Sequence, residues 1–252
     1  MSPSRWRNVA RRILLACMIL VGSSARVLAG GDNLTLNPAL SKDEFNSLSR
    51  ELGFGLSYFP LAPAAPLGLI GFDIGVEATA VNISEHSSFW RKAVQDGNPP
   101  SMLVLPKLHV QKGLPFNVDV GAIYSAIPNS NVSLVGGELK WAFLEGGIIL
   151  PAMAIRGSYT RVLGGSDIDL ETYGVDLSIS KRVFFMTPYA GVGEVWIRSS
   201  TDSRALTTQF KETQNLSKAF VGVKFHLLLL SLVAEADFST ISAYSLRANF
   251  SF

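Results

Sequence analysis

The sequence predicts an all-β fold: a transmembrane, antiparallel, up-and-down β-barrel of ten to twelve strands, twelve favoured, behind a short N-terminal helical or irregular segment. Three observations predict it. The chain is 48% hydrophobic and 17% charged, yet past residue 30 it has no run of the roughly 18 apolar residues that a spanning helix needs. Its apolar residues recur at alternate positions, the period of a strand with two unlike faces. The alternating segments, about ten residues each, are joined by connections of alternately short and long length, as in membrane barrels.

The first element is a targeting segment. "MSPSRWRNVARR" carries four arginines and no acid, "ILLACMILVG" (13–22) is an apolar run, and Val27 and Ala29 stand at the −3 and −1 positions of a cut before Gly30. Charged, apolar, then small is the secretory layout, and the apolar run is too short to span a bilayer. Cys17 in "LLAC" raises lipoprotein processing as an alternative, which the continuation of the run past it to Val21 disfavours. Removing 1–29 takes 5 of the 22 basic residues and none of the 20 acidic ones, so 17 bases face 20 acids and the net charge becomes −3. That balance removes the electrostatic motive for nucleic-acid binding. The one cysteine leaves too, so disulfides do not hold the fold.

Residues 30–50 form a leader. "SKDE" (41–44) fits a capping box, with Ser41 and Glu44 exchanging side-chain and backbone bonds. It opens either a short helix to about Arg50, which would be a lumen plug or gate, or a plain link to the first strand. The barrel is assigned to 51–252. "LGFGLSY" sets Leu52, Phe54, Leu56 and Tyr58 on one face, which reads as a strand over 51–59. "FPLAPAAPLG" (59–68) has three prolines, which cannot continue a ladder, and reads as a connection.

Ten further strands follow. "GFDIGVEATAV" opposes Phe72, Ile74 and Val76 to Asp73 and Glu77. "PKLHVQ" opposes Leu108 and Val110 to Lys107 and His109. "FNVDVGAIYSA" places Asp119 against Val118 and Val120, and "GELKWAF" places Glu138 and Lys140 against Leu139 and Trp141. "AIRGSYT" and "YGVDLSIS" contribute Arg156 and Asp176. "YAGVGEVWIR" reads as Tyr189, Val195 and Ile197 outside with Glu194 and Arg198 inside. "FVGVKFHL" contributes Lys224 and His226, "SLVAEADF" Glu235 and Asp237, and the closing strand Arg247. With 51–59 the count is eleven, against the even number expected of single-chain barrels. Either 32–40 supplies a twelfth strand or 51–59 stands outside a ten-stranded ring.

The tight connections are "KGLP" (112–115), "EGG" (145–147), "KRV" (181–183) and "LLL" (228–230). Between them lie the longer or more polar 83–100, 127–131, 163–167 and 199–214, and the short "STI" (239–241). "LLL" has none of the glycine or asparagine that tight turns use, and nothing in the sequence accounts for it. A soluble periplasmic sandwich also alternates. Against it, the apolar faces mix glycine and alanine with large residues, which lipid tolerates and a packed core does not. The polar faces carry charge in mid-strand. Aromatics at segment ends (Tyr58, Phe59, Trp141, Tyr159, Tyr189, Tyr244, Phe250, Phe252) suit interfacial girdles.

"YSLRANFSF" alternates Tyr244, Leu246, Ala248, Phe250 and Phe252 with Ser245, Arg247, Asn249 and Ser251. It resembles the C-terminal strand of Gram-negative outer-membrane β-barrel proteins, and the whole is similar to uncharacterised outer-membrane barrels of proteobacteria. The resemblance implies the bacterial outer membrane and its lipid as the setting. It also implies the barrel assembly machinery as a partner through those five alternating residues. It implies no activity.

The lumen list is then Asp73, Glu77, Lys107, His109, Asp119, Glu138, Lys140, Arg156, Asp176, Glu194, Arg198, Lys224, His226, Glu235, Asp237 and Arg247. Buried charges need partners, so this set reads first as a lumen braced by ion pairs, giving a closed or narrow porin-like barrel with a small polar solute as candidate cargo. The alternatives are a structural or surface-interaction barrel without transport and, less favoured, a lipid-modifying enzyme. Enzymatic function is not expected: the three histidines (His86, His109, His226) sit on separate segments, "HSS" (86–88) is a loop, and no nucleophile–base–orienter set is legible. No cofactor or metal is expected, because no ligand spacing appears.

Overall fold

A computed structural model describes residues 37, 39–94, 99–126, 132–164, 168–201 and 210–252. Among them, ten strands close into a single antiparallel ring in which every chain neighbour is a sheet neighbour. They are β1 (Phe72–Asn82), β2 (Met102–Leu114), β3 (Val118–Ala126), β4 (Ser133–Leu144), β5 (Ala152–Leu163), β6 (Ile168–Ser180), β7 (Met186–Thr201), β8 (Lys211–Leu227), β9 (Leu230–Phe238) and β10 (Ser242–Ser251). The ring shuts where β1 pairs with β10, from Asp73 opposite Ser251 to Val81 opposite Ala243. Beyond that ladder, Phe72 and Phe252 exchange both backbone bonds, at 2.8 and 3.0 Å. Closure leaves no edge strand, so the alternation of β10 is the outward face of the seam strand.

The count is ten, not the favoured twelve. Residues 51–59 are not a strand. Helix α1 (Lys42–Gly55) begins at the expected capping box, with the Ser41 amide donating to Glu44 Oε2 at 2.9 Å and the Glu44 amide to Ser41 Oγ at 3.3 Å. It then runs five residues beyond Arg50, so the barrel proper starts at Phe72, not at 51. The apparent period of two in "LGFGLSY" came from Gly53, Gly55 and Ser57, small residues needed for another reason. A Cβ on Gly53 would lie 2.4 Å from Ile197 Cγ2, so the helix touches the barrel wall there. Of the candidate twelfth strand, 32–36 and 38 lie outside the described residues; Asn37, Ala39 and Leu40 are not strand.

The remaining helices sit in connections. Helix α2 (Ser88–Ala93) lies in the long β1–β2 loop, and a 3-10 turn (Pro115–Asn117) joins β2 to β3. The tight β2–β3, β4–β5, β6–β7 and β8–β9 turns share one end of the barrel with the C-terminus. The long connections share the other.

The outer wall is graded. Near the long-loop end, Tyr124 on β3 and Tyr159, Tyr173 and Trp196 on the adjacent strands β5, β6 and β7 form a belt, with Tyr159 and Tyr173 rings 5.0 Å apart. Beyond the belt stand Arg161, Asp169 and Glu171, linked by ion pairs at 3.6 and 3.7 Å. On the turn side of the belt the wall is mostly apolar: Leu139, Trp141, Ile155, Val175, Leu177 and Leu246 are all exposed. This is the surface that a barrel turns to hydrocarbon, with aromatics at the interface.

Candidate functional site

The lumen is the candidate site, and the chain itself fills it. From Glu51 to Ala64 every residue of the N-terminal segment but Pro63 is buried, while upstream α1 buries Phe45, Leu48 and Ser49 and leaves Lys42, Asp43 and Arg50 exposed. It enters among the long loops, crosses the lumen and hands over to β1 at the turn end. There Gly113 approaches so closely that a Cβ would lie 1.9 Å from the Gly68 carbonyl oxygen, so only glycine fits.

The lumen has two storeys. The upper one is apolar. Phe45, Leu48, Leu52 and Phe54 of α1 pack against inward side chains of the wall, among them Leu105, Leu134, Leu170, Val195 and Ile197. Here the strands reverse the simple rule of polar inside. Inward residues are apolar because they meet a helix and not water.

Polar latches hold α1 at the mouth. Glu51 accepts from Trp90 Nε1 at 2.6 Å, from Ser84 Oγ at 2.6 Å and from the Ser84 amide at 3.0 Å. Lys92 on α2 donates to Glu44 at 2.8 Å and to the Ala39 carbonyl at 3.2 Å. The Lys92 bond, with the capping bond from Ser41, holds the Glu44 carboxyl at about 2, below its ordinary value. Lys42 pairs with Glu212 at 3.1 Å, and Arg50 donates to Gln214 at 3.1 Å.

The lower storey is polar, and its charges are paired. Glu77 lies 2.9 Å from both Lys107 and His109. Lys140 meets Asp119 at 2.9 Å. Arg156 bridges Glu138 and Asp176, both at 3.3 Å. Asp73 is held by Lys224 at 3.1 Å and Arg247 at 3.7 Å, with Asn249 donating to it as well. All twelve of these residues are buried. Unpaired, each charge would cost several kcal/mol.

The plug completes this network with its backbone. The Leu61 amide donates to Glu235 at 3.0 Å, and the Leu67 amide to Asp119 at 3.1 Å. Lys140 donates to the carbonyls of Pro63 and Ala65, each at 3.0 Å, and Thr160 to that of Leu56 at 2.9 Å. Pro60, Pro63 and Pro66 bring no N–H, which reduces the donors that a buried irregular thread must satisfy. Tyr58 bonds His109 Nε2 at 3.0 Å, and the Phe59 ring lies under Lys107 Nζ at 4.9 Å. The proline-rich stretch read as a connection is therefore the stem of a stopper.

The structure places fourteen of the sixteen sequence-derived lumen residues on the inward face: Asp73, Glu77, Lys107, His109, Asp119, Glu138, Lys140, Arg156, Asp176, Lys224, His226, Glu235, Asp237 and Arg247. Glu194 and Arg198 are corrections. Both share the outward face of β7 with Trp196: Glu194 accepts from Ser217 Oγ, and Arg198 stacks over the Tyr173 ring at 5.0 Å. Val195 and Ile197, assigned outside, are buried in the upper storey. Of the expected girdle aromatics, Tyr58, Phe59 and Tyr189 lie inside, Tyr189 donating to Glu235 at 2.7 Å, while Trp141, Tyr244, Phe250 and Phe252 are exposed. Sequence reading missed Lys218, which pairs with Asp176 at 3.3 Å and Asp237 at 3.8 Å. Counting back from Lys224 in steps of two reaches it.

The three histidines stand apart, each with its own partners. His109 has Tyr58 on Nε2, with Glu77 and Arg247 both 2.9 Å from Nδ1. His226 bonds Thr187 at 3.1 Å, and His86 is exposed beside Glu85. Among the described residues no group of three potential ligands gathers to hold a metal.

No protein-family model and no curated protein matches the chain. Solved structures similar to it include Ail, the attachment invasion locus protein of Yersinia pestis, at 13% identity and TM-score 0.34, over 72% of this chain and 97% of that one. They also include the N-terminal β-barrel domain of Pseudomonas aeruginosa OprF, at 12% and 0.33, over 71% and 97%. Neisserial surface protein A follows at 10% and 0.32, over 72% and 95%. The closed antiparallel barrel rests on the chain's own strand pairing.

Proposed function

We propose that this chain is an integral outer-membrane β-barrel stoppered by its own N-terminal segment, acting at its outward end as a structural or surface-interaction barrel and not as an open pore. The observation that carries the reading is the burial of residues 51–64, all but Pro63, inside the ring, with the lumen charges paired to one another and to the plug backbone. A porin needs a wet path; here the lumen residues hold a stem instead of a solute. The apolar outer wall and its aromatic belt support residence in a bilayer. The secretory layout of 1–29 and the alternating C-terminal strand support export, cleavage and insertion by the barrel assembly machinery through Tyr244, Leu246, Ala248, Phe250 and Phe252. No enzymatic role is proposed, because the ring nitrogens of His109 are engaged and buried.

The test is electrical. The chain purified from membranes in detergent is added to a planar bilayer. Insertion without conductance steps is the expected result. Steady, salt-dependent steps from the unmodified chain would restore the porin-like reading, and extraction from cells without detergent would remove the membrane reading.

A further inference from the structure

The turn end of the barrel carries a ring of apolar tips that no water-facing turn needs. Phe116 is 89% exposed, Ile148 99%, Phe184 90% and Leu228 94%, each from a different tight turn, and Ile70 at the plug-to-β1 hand-off is 86% exposed. Phe116, Phe184 and Leu228 hold positive φ, at 64°, 54° and 63°. Left-handed backbone favours glycine or asparagine and disfavours other residues, whose Cβ crowds the following carbonyl. Three turns thus place a bulky apolar residue where the backbone itself would prefer a small one. This accounts for the turn "LLL".

We propose that this crown is seated in lipid: the turn tips lie among the acyl chains of the near leaflet, reaching the boundary with the head groups, and do not stand in water. The proposal rests on the membrane reading above. The first support is height. From Tyr173 in the aromatic belt to Ser180, the last residue of β6, are seven steps; at ~3.3 Å each and ~40° tilt they descend about 18 Å. A barrel's apolar band is about 25 Å tall, so roughly 7 Å of it lies beyond the strand ends, the layer that the turns occupy. The second support is that the turns satisfy their own carbonyls, as an apolar medium demands. Lys181 Nζ donates to the carbonyls of Gly147, Ile148 and Leu150 at 2.8, 2.8 and 3.1 Å, using all three of its hydrogens. Lys112 Nζ takes those of Leu69 and Gly71 at 2.7 and 3.2 Å. Glu145, the acid of the β4–β5 turn, accepts from Asn117 at 2.6 Å.

The experiment is depth quenching. In a Cys17→Ser background, single cysteines replace Phe184, Leu228, Ile155 on the mid-wall and His86 in the long loop, each carrying a bimane label, in phosphatidylethanolamine–phosphatidylglycerol vesicles. Quenching by doxyl-labelled lipid at 184 and 228 is expected to match that at 155. Quenching by aqueous iodide, present in both compartments, is expected to be about five-fold or more weaker than at 86. Iodide quenching at the tips equal to that at 86, with 155 still quenched by lipid, overturns the crown and leaves the membrane barrel standing. Failure of lipid to quench 155 overturns the membrane reading itself. Tips shielded from both quenchers overturn lipid as the occupant in favour of a protein, a second copy included.

Discussion

Glu51 is the pin that fastens the stopper, and replacing it isolates local opening from global unfolding. Glu51→Ala removes the acceptor for Trp90 Nε1 and for both donors of Ser84. Ser84 is exposed and recovers water, but Trp90 is 1% exposed and its indole N–H is left without a partner. One charge-assisted bond lost to a stranded donor, plus a smaller loss at Ser84, amounts to about 2–4 kcal/mol. That cost falls on the docked state of α1 alone, because α1 bridges the lumen and the β1–β2 loop while the strand ladders make no use of Glu51. At 1.4 kcal/mol per tenfold, the exchange rates of α1 amides should rise roughly 30- to 700-fold. The assay is native-state hydrogen exchange read by mass spectrometry on the detergent-held protein, comparing peptides of 42–55 with those of β2 and β6. Glu51→Gln keeps one oxygen for Trp90 and should lie between. Acceleration of α1 and strand amides by the same factor would refute the reasoning, since the plug and barrel would then be one cooperative unit. So would unchanged α1 exchange.

Three further outcomes are expected. Lys218→Met leaves Asp237 without its cation and Asp176 with Arg156 alone; it should destabilise the barrel by about 3–5 kcal/mol in denaturant unfolding, with Lys218→Met/Asp237→Asn recovering part of the loss. Glu44 titrates at about 2 instead of its ordinary 4.5, so its latch to Lys92 contributes fully above the ordinary value and is lost as pH falls from there through about 2; the protection factors of α1 amides, corrected for the intrinsic pH dependence of exchange, check the window and should be flat from pH 5 to 7. Deleting Phe252 removes two backbone bonds and a ring contact at 5.7 Å from the seam; membrane-inserted protein in expressing cells should fall several-fold, about the effect of 1–2 kcal/mol on abundance.

The ten strands were legible because an outer wall facing one medium imposes an uninterrupted period of two. The inner wall faces two media, and there the reading split. Where the lumen is polar, Asp119, Lys140, Arg156 and Asp176 were assigned to it by parity alone. Where it is filled by α1, parity misled: Val195 and Ile197 face a helix that the β7 sequence does not mention, so Glu194 and Arg198 were sent inward with the polar set. The same helix explains 51–59, whose glycines serve contact with the wall and mimic a strand's alternation. Pairing partners were not legible, since Lys218 on β8 reaches Asp237 on β9 and, over Gly193 of β7, Asp176 on β6. The odd turn "LLL" was visible at once, but its meaning needed the three other tight turns brought to the same end.

The buried thread also constrains how the molecule is put together. Asn37 bonds the Lys92 carbonyl at 3.1 Å at one mouth of the ring, while Phe252 closes the seam at the other. The chain is a cord drawn through its own hoop. An α-helix with its side chains is about 10–12 Å across, so a hoop already sealed and filled with paired charges offers no gap to pass it. The cord is therefore laid in while β1 and β10 stand apart, and zipping of Asp73–Val81 onto Ala243–Ser251 is the last act. Whatever holds the sheet open during insertion must hold it around a guest, and a handle fixed to the N-terminal side of the cord would surface on the opposite face of the membrane from one fixed to Phe252.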